Sequence, residues 1–150
     1  SAFSVPCVIV TTSAENWSME ELSSVSIDDE KAGETIVDYL IEHGNTKIAE
    51  IGANLELSQT ARLRHNGYLN SFKKHGITPD ERYYERARFS YDSAYRAMKK
   101  LLEKDIEITA VYAISDVMAI GALRAILDKG LRVPEDISIT GFDGSTLAEY

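Results

Sequence analysis

The stretch from Ala110 to Asp143, AVYAISDVMAIGALRAILDKGLRVPEDISITGFD, restricts the fold more than any other part of the chain. Ala110 to Ile114 is apolar and of strand length, Ser115-Asp116 offers two residues suited to cap a helix, and Val117 to Leu127 is almost wholly apolar. Gly130 stands where a left-handed helix end is needed, Pro134 keeps the helix from resuming, and Ile137 to Phe142 reads as a second strand ending at Asp143. Strand, helix and strand in this order make a β-α-β unit with a right-handed crossover. Such a unit brings Ser115, Asp116 and Asp143 to the carboxyl ends of neighbouring parallel strands, where open α/β sheets hold their ligands.

The same alternation extends upstream. Lys47 to Gly52 reads as a strand, about Ser58 to His75 as a helix closed by Gly76, and Thr78-Pro79 as a turn. Tyr83 to Phe89 is a charge-rich strand, after which Ser90 or Asp92 caps a helix with Ala94, Met98, Leu101 and Leu102 on one face. Before all of these, Asp28-Asp29 can cap a helix from Glu30 to His43, with Ala32, Ile36, Val37, Leu40 and Ile41 at helical spacing and Gly44 at its end. The sum is an α/β chain built on a parallel, doubly wound sheet with helices on both faces. Two early strands, Val5 to Val10 and Val25 to Ile27, fit that sheet awkwardly, because the polar segment Thr11 to Ser24 is too short for a helical crossover between parallel neighbours. Trp17 lies in that segment, to pack on a neighbouring surface or cap a cleft.

With 150 residues the chain has the size of one domain, and its net charge of -8 argues against a DNA-gripping surface, which needs clustered Lys and Arg. Cys7 is alone, so no internal disulfide forms and a reducing cytoplasm is the expected compartment. No apolar run approaches a membrane span, and the start shows no signal-peptide pattern, so no membrane association is expected. Motifs for zinc, phosphate loops, dinucleotides and serine nucleophiles are not found, and His43, His65 and His75 read as satisfied surface histidines. Asp28 and Asp29, with Asp116 as a third carboxylate, could form an acidic metal pocket of the kind found in phosphate-accepting receiver domains. The lysine such a pocket needs after the last strand is missing.

Two motifs, Ser115-Asp116-Val117-Met118-Ala119-Ile120-Gly121-Ala122-Leu123 and Val133-Pro134-Glu135-Asp136-Ile137-Ser138-Ile139-Thr140-Gly141-Phe142-Asp143, stand in fixed order and separation. Together they resemble the effector-binding domain of the lactose/galactose repressor family of bacterial transcription regulators. The resemblance implies a periplasmic-binding-protein-like type I lobe. Residues 1–27 would be the tail of an amino-terminal lobe with a hinge crossing, and 28–150 most of the carboxyl-terminal lobe. It implies a non-enzymatic homodimer without cofactor, sensing a sugar, sugar phosphate or purine, and touching DNA only through a helix-turn-helix headpiece outside these residues. An extracytoplasmic sugar-binding protein, or a regulator controlled by a partner protein, are the alternatives.

The resemblance also singles out ligand-binding residues. Arg64 stands three residues before Gly67-Tyr68, where relatives place a ligand-contacting arginine, and its planar fork of donors suits a hydroxyl, ring acceptor or carboxylate. A surface ion pair is the other use for it. Thr60, one turn earlier, matches an assisting polar position or caps its helix. Asp143 can accept two hydrogen bonds from vicinal hydroxyls or a ring N–H, or can shape a turn with Gly144. Ser115 takes the place where relatives carry Asn, and Phe89 matches an aromatic platform for a sugar or purine, unless it packs in the core. Tyr91 is a neighbouring candidate, and Asp116 is expected to act mainly as an N-cap complementing the helix dipole.

Overall fold

In the computed structural model, residues 8–10 and 23–146 are described; Cys7, Trp17 and the segment 11–22 fall outside them. The elements run β1 (Val8–Val10), β2 (Ser23–Val25), α1 (Asp29–Glu42), β3 (Ile48–Gly52), α2 (Gln59–Lys74), a 3₁₀ turn (Glu81–Tyr83), β4 (Tyr84–Arg86), α3 (Tyr91–Glu103), β5 (Ala110–Ala113), α4 (Asp116–Asp128) and β6 (Ser138–Thr140). Four strands form one parallel sheet in the order β4-β3-β5-β6. The chain therefore winds outward from β3 to β4, returns across β3 to β5, and continues to β6. With right-handed crossovers this reversal puts α2 and α3 on opposite faces. α1 packs on α2 and α3 on α4, one pair to each face.

The central strands β3 and β5 are buried along their whole length, which is why they read as continuous rather than alternating apolar runs. Val37, Leu40, Tyr68 and Phe72 belong to the core from α1 and α2; Met98, Leu101, Met118 and Ile126 belong to it from α3 and α4. The early strands pair with each other, in parallel, as a separate two-stranded sheet, and the second ends at Val25 rather than Ile27. The charge-rich stretch gives a strand of only three residues, because the Asp80 carboxylate takes the Arg82 amide at 2.9 Å and holds Glu81–Tyr83 in a 3₁₀ turn.

Helix ends follow the glycines. Gly44, Gly76 and Gly130 all have positive φ, and around each the two backbone bonds of a Schellman end close the helix: Ile77 N–H to Phe72 C=O and Gly76 N–H to Lys73 C=O, for example. Both helix pairs cross at a glycine. A Cβ on Gly67 would overlap the Glu30 carbonyl oxygen of α1, and one on Gly121 would overlap the Tyr91 carbonyl oxygen of α3.

Gly67→Ala and Gly121→Ala are each expected to cost about 1–3 kcal/mol through forced separation of the helix pair. Gly130→Ala has open space around it and should cost about 1–2 kcal/mol through φ alone. Urea-unfolding midpoints check both, and equal thermal shifts across a wider series at position 130 would separate backbone strain from packing.

Candidate functional site

Where the winding reverses, the carboxyl ends of β3 and β5 part, and α2 and α4 leave from them. An open cleft of about 740 Å³ lies there, lined by Arg64, Thr60, Ser115, Asp143 and Phe89 together with Asp29, Ser58, Val117 and Phe142. Its far wall is Val10, Val25, Ser26 and Ile27 from the small sheet and the segment after it. All five residues singled out by the sequence thus meet in one place.

Arg64 is the centre of it. Its guanidinium is buried, donating from Nε to Asp29 Oδ1 at 2.8 Å and from Nη1 to the Ile114 carbonyl and, at 3.4 Å, to Asp143 Oδ1. Its Cζ lies over the Phe142 ring, 3.4 Å from the ring centroid, a cation–π contact. Arg64 is therefore neither a surface ion pair nor a free side chain. Three groups anchor it, and Nη2 has no hydrogen-bond partner among the described residues.

Asp143 follows β6, and its second oxygen, Oδ2, accepts the Asp116 N–H at 3.1 Å at the start of α4. Asp116 returns the bond: its Oδ1 accepts the Phe142 and Asp143 amides at 3.0 and 3.2 Å, and its Oδ2 the Ser145 amide. The expected N-cap role of Asp116 is thus corrected. Ser115 holds the N-cap position, without a side-chain cap bond, while Asp116 is the first helical residue and its carboxylate turns to the loop after β6. Burial pushes the Asp116 carboxyl up, but the Ser145, Phe142 and Asp143 amides outweigh it and hold it below the ordinary carboxylate range. Gly141 makes room for this carboxylate, which a Cβ there would strike.

Ser115 Oγ is buried on the cleft wall with no hydrogen-bond partner among the described residues, and Phe89 is 47% exposed rather than part of the core. Thr60 does not cap α2; Ser58 does, accepting the Ala61 amide at 3.1 Å. Tyr91 does not line the cleft. It opens α3, and its backbone meets Gly121.

Local sequence gave no sign of two contributors. Asp29 looked like a helix cap, but Asp28 takes that role by accepting the Lys31 amide, and Asp29 holds Arg64 instead. Phe142 looked like a strand residue. Asp28, Asp29 and Asp116 are thereby occupied separately, and no group of three metal-ligating side chains is found among the described residues. His65 is also corrected: beside Arg64 on α2, it turns inward to the fully buried Glu50 of β3, Nδ1 to Oε2 2.7 Å. Burial pushes the Glu50 carboxyl up against the pull of His65. Burial lowers His65, and the Glu50 carboxylate more than reverses it.

Parallel strands, a cleft at the switch point and polar side chains converging on it make the arrangement in which open α/β sheets hold ligands. The profile of the periplasmic binding protein-like domain family matches residues 37–150. Over 130 residues the chain is 38% identical to the helix-turn-helix type transcriptional repressor CytR of Escherichia coli K12, covering 87% of this chain and 38% of that protein. A sugar-binding LacI-family transcriptional regulator from Escherichia coli, solved with phosphate, superposes with a TM-score of 0.87 at 30% identity, over 99% of this chain and 52% of that one. The regulator CelR in complex with cellobiose superposes with a TM-score of 0.85 at 34% identity, over 95% of this chain and 43% of that one. The chain belongs to the lactose/galactose repressor family, through its periplasmic-binding-protein-like domain. It spans about two-fifths to half the length of these relatives, which are transcription regulators and not enzymes. No described helix is long and apolar enough to cross a membrane.

The Glu50–His65 pair gives a pH dependence with a defined sign. Both groups bind protons more tightly folded than unfolded, so their contribution is full at low pH and falls as pH rises through their raised folded values. In Glu50→Gln, His65 loses its partner and burial alone lowers it, giving the opposite slope below pH 6.5. The melting-temperature advantage of the natural chain over Glu50→Gln should shrink steadily from pH 5 to pH 9, measured by calorimetry; a constant difference would exclude the pair as its source.

Proposed function

We propose that this chain is the effector-sensing part of a bacterial transcriptional repressor, and that the cleft binds a small polar metabolite. The observation that carries this is the convergence of Arg64, Asp143, Ser115, Thr60 and Phe89, from α2, α4 and the ends of β4 and β6, on one cleft. Among the described residues Nη2 of Arg64 is a donor pair without a partner and Ser115 Oγ an unpartnered hydroxyl, while Asp143 is an exposed acceptor and Phe89 an exposed ring. That set suits a hydroxylated ring or a nucleobase.

On this reading residues 1–27 complete an amino-terminal lobe and cross a hinge, and 28–150 form most of the carboxyl-terminal lobe. A ligand held between the lobes favours one closure angle, and a homodimer in the cytoplasm relays it to DNA-binding headpieces elsewhere in the protein. The separate pairing of β1 with β2, facing the cleft from the other side, supports the division.

Calorimetric titration of the complete protein against sugars, sugar phosphates, nucleosides and purines tests this. Arg64→Lys keeps a cation beside Asp29 but loses the fork, and Asp143→Asn keeps the shape but loses the charge. Each should weaken the bound ligand by about 1.5 kcal/mol or more, the value of a hydrogen bond to a charged group. Unchanged binding in both variants would remove these residues from the ligand site, and a regulator answering to a partner protein would replace the proposal.

A further inference from the structure

We infer that this lobe is built for an uncharged, hydroxyl-bearing ring and selects against its phosphorylated or carboxylated counterpart, with Asp29 as the residue that sets the selection. The inference rests on the cleft being the ligand site, and it narrows the ligand class.

The charge of the cleft is the first ground. Among the described residues its lining holds one cation, Arg64, and two carboxylates, Asp29 and Asp143, so carboxylate is in surplus. Both carboxylates sit on the one guanidinium, so an incoming anion meets a cation already neutralised and two like charges beside it.

Helix ends do not reverse this. Three helices start at the cleft, each bringing about half a positive charge at its N-terminus. α1 begins with the Asp28 cap and the acidic Asp29 and Glu30, and α4 has Asp143 on its first amide and Asp116 in its first turn. Only α2 opens without an acid, capped by the neutral Ser58. Its half charge does not outweigh the surplus carboxylate.

The free hydrogen-bonding groups are the second ground. Arg64 has five N–H donors; Nε goes to Asp29 and the two of Nη1 to Ile114 and Asp143, leaving the two of Nη2 without a partner among the described residues. The Phe142 ring lies beneath the guanidinium carbon. A carboxylate accepting from hydroxyls (Asp143), a two-hydrogen donor (Nη2) and an unpartnered buried hydroxyl (Ser115) match a vicinal diol. The exposed Phe89 offers a flat surface for the apolar side of the ring.

Asp29 acts through Arg64 and is a positioning residue. Asp29→Asn can keep the bond to Nε while removing one negative charge, so the guanidinium recovers net charge toward the cleft.

The test uses the complete protein and matched pairs differing only in a phosphate: ribose and ribose 5-phosphate, glucose and glucose 6-phosphate, adenosine and adenosine 5′-phosphate, titrated by calorimetry at two salt concentrations. The neutral member of the pair that binds should bind at least tenfold more tightly. Asp29→Asn should cut that ratio at least fivefold, with the gain in the phosphorylated member weakening at high salt. Because the variant's ratio is compared with the natural protein's, charges on the opposite wall cancel. A phosphorylated member that binds as well as or better than its partner overturns this inference and leaves the proposed function standing. An unchanged ratio in Asp29→Asn overturns the role of Asp29. Binding by neither member of any pair removes the proposed function, and the inference with it.

Discussion

A buried guanidinium cannot stand alone, since the cost of taking its charge out of water is several kcal/mol unless carboxylates and carbonyls replace the lost hydration. Arg64 therefore dictates much of what surrounds it. Asp29 at the start of α1, the last carbonyl of the Ala110 to Ile114 run and Asp143 after β6 must all arrive at one point for α2 to seat itself on the sheet. Those groups lie 35 to 79 residues from Arg64 along the chain, and the cleft is the space their convergence leaves. Folding requirement and cleft share one cluster of atoms: the groups that neutralise Arg64 also decide what it presents there.

α2 is held from two sides at consecutive residues. Arg64 reaches toward the cleft, while His65 reaches into the core, where Glu50 lies on β3 directly between Tyr84 and Tyr112 in register. Glu50 is the one charge in an otherwise apolar central strand, and Tyr68 joins the group by donating to the Ile48 carbonyl at 2.9 Å. A polar row beneath a helix carries no advantage over well-packed apolar side chains in stability. What it does is fix the rotation of α2 about its axis, and with it the direction in which Arg64 points.

Local chemistry made most of the fold legible. The glycine ends of α1, α2 and α4, the apolar centre of β5 and the order of strand and helix are properties of short stretches, and each appears within a residue or two of where the sequence puts it. The resemblance to the repressor family points to Arg64, Thr60, Ser115, Phe89 and Asp143, because the motifs that carry it survive in sequence. It does not point to the partners of those residues. Asp29 and Phe142 matter through contacts with a side chain 35 and 78 positions away, and neither has a local pattern that differs from a cap or a strand residue. Asp116 was misjudged for the same reason: an acid at the start of a helix is expected to serve that helix, and only the fold reveals a neighbouring loop with three amides to satisfy. The early strands fit the main sheet awkwardly in the sequence because their connection is too short for a helical crossover, and in the structure they pair with each other in a sheet of their own.

The exchange between Asp116 and Asp143 has a mechanical consequence. Each carboxylate accepts the backbone N–H of the other, so the loop after β6 and the first turn of α4 move as one piece. A hydroxyl that draws on the Asp143 oxygens competes directly with the opening amide of α4, a helix whose far end carries Arg124 and Leu127 to the surface. The helix is in effect a rod with one end at the cleft and its flank on the exterior.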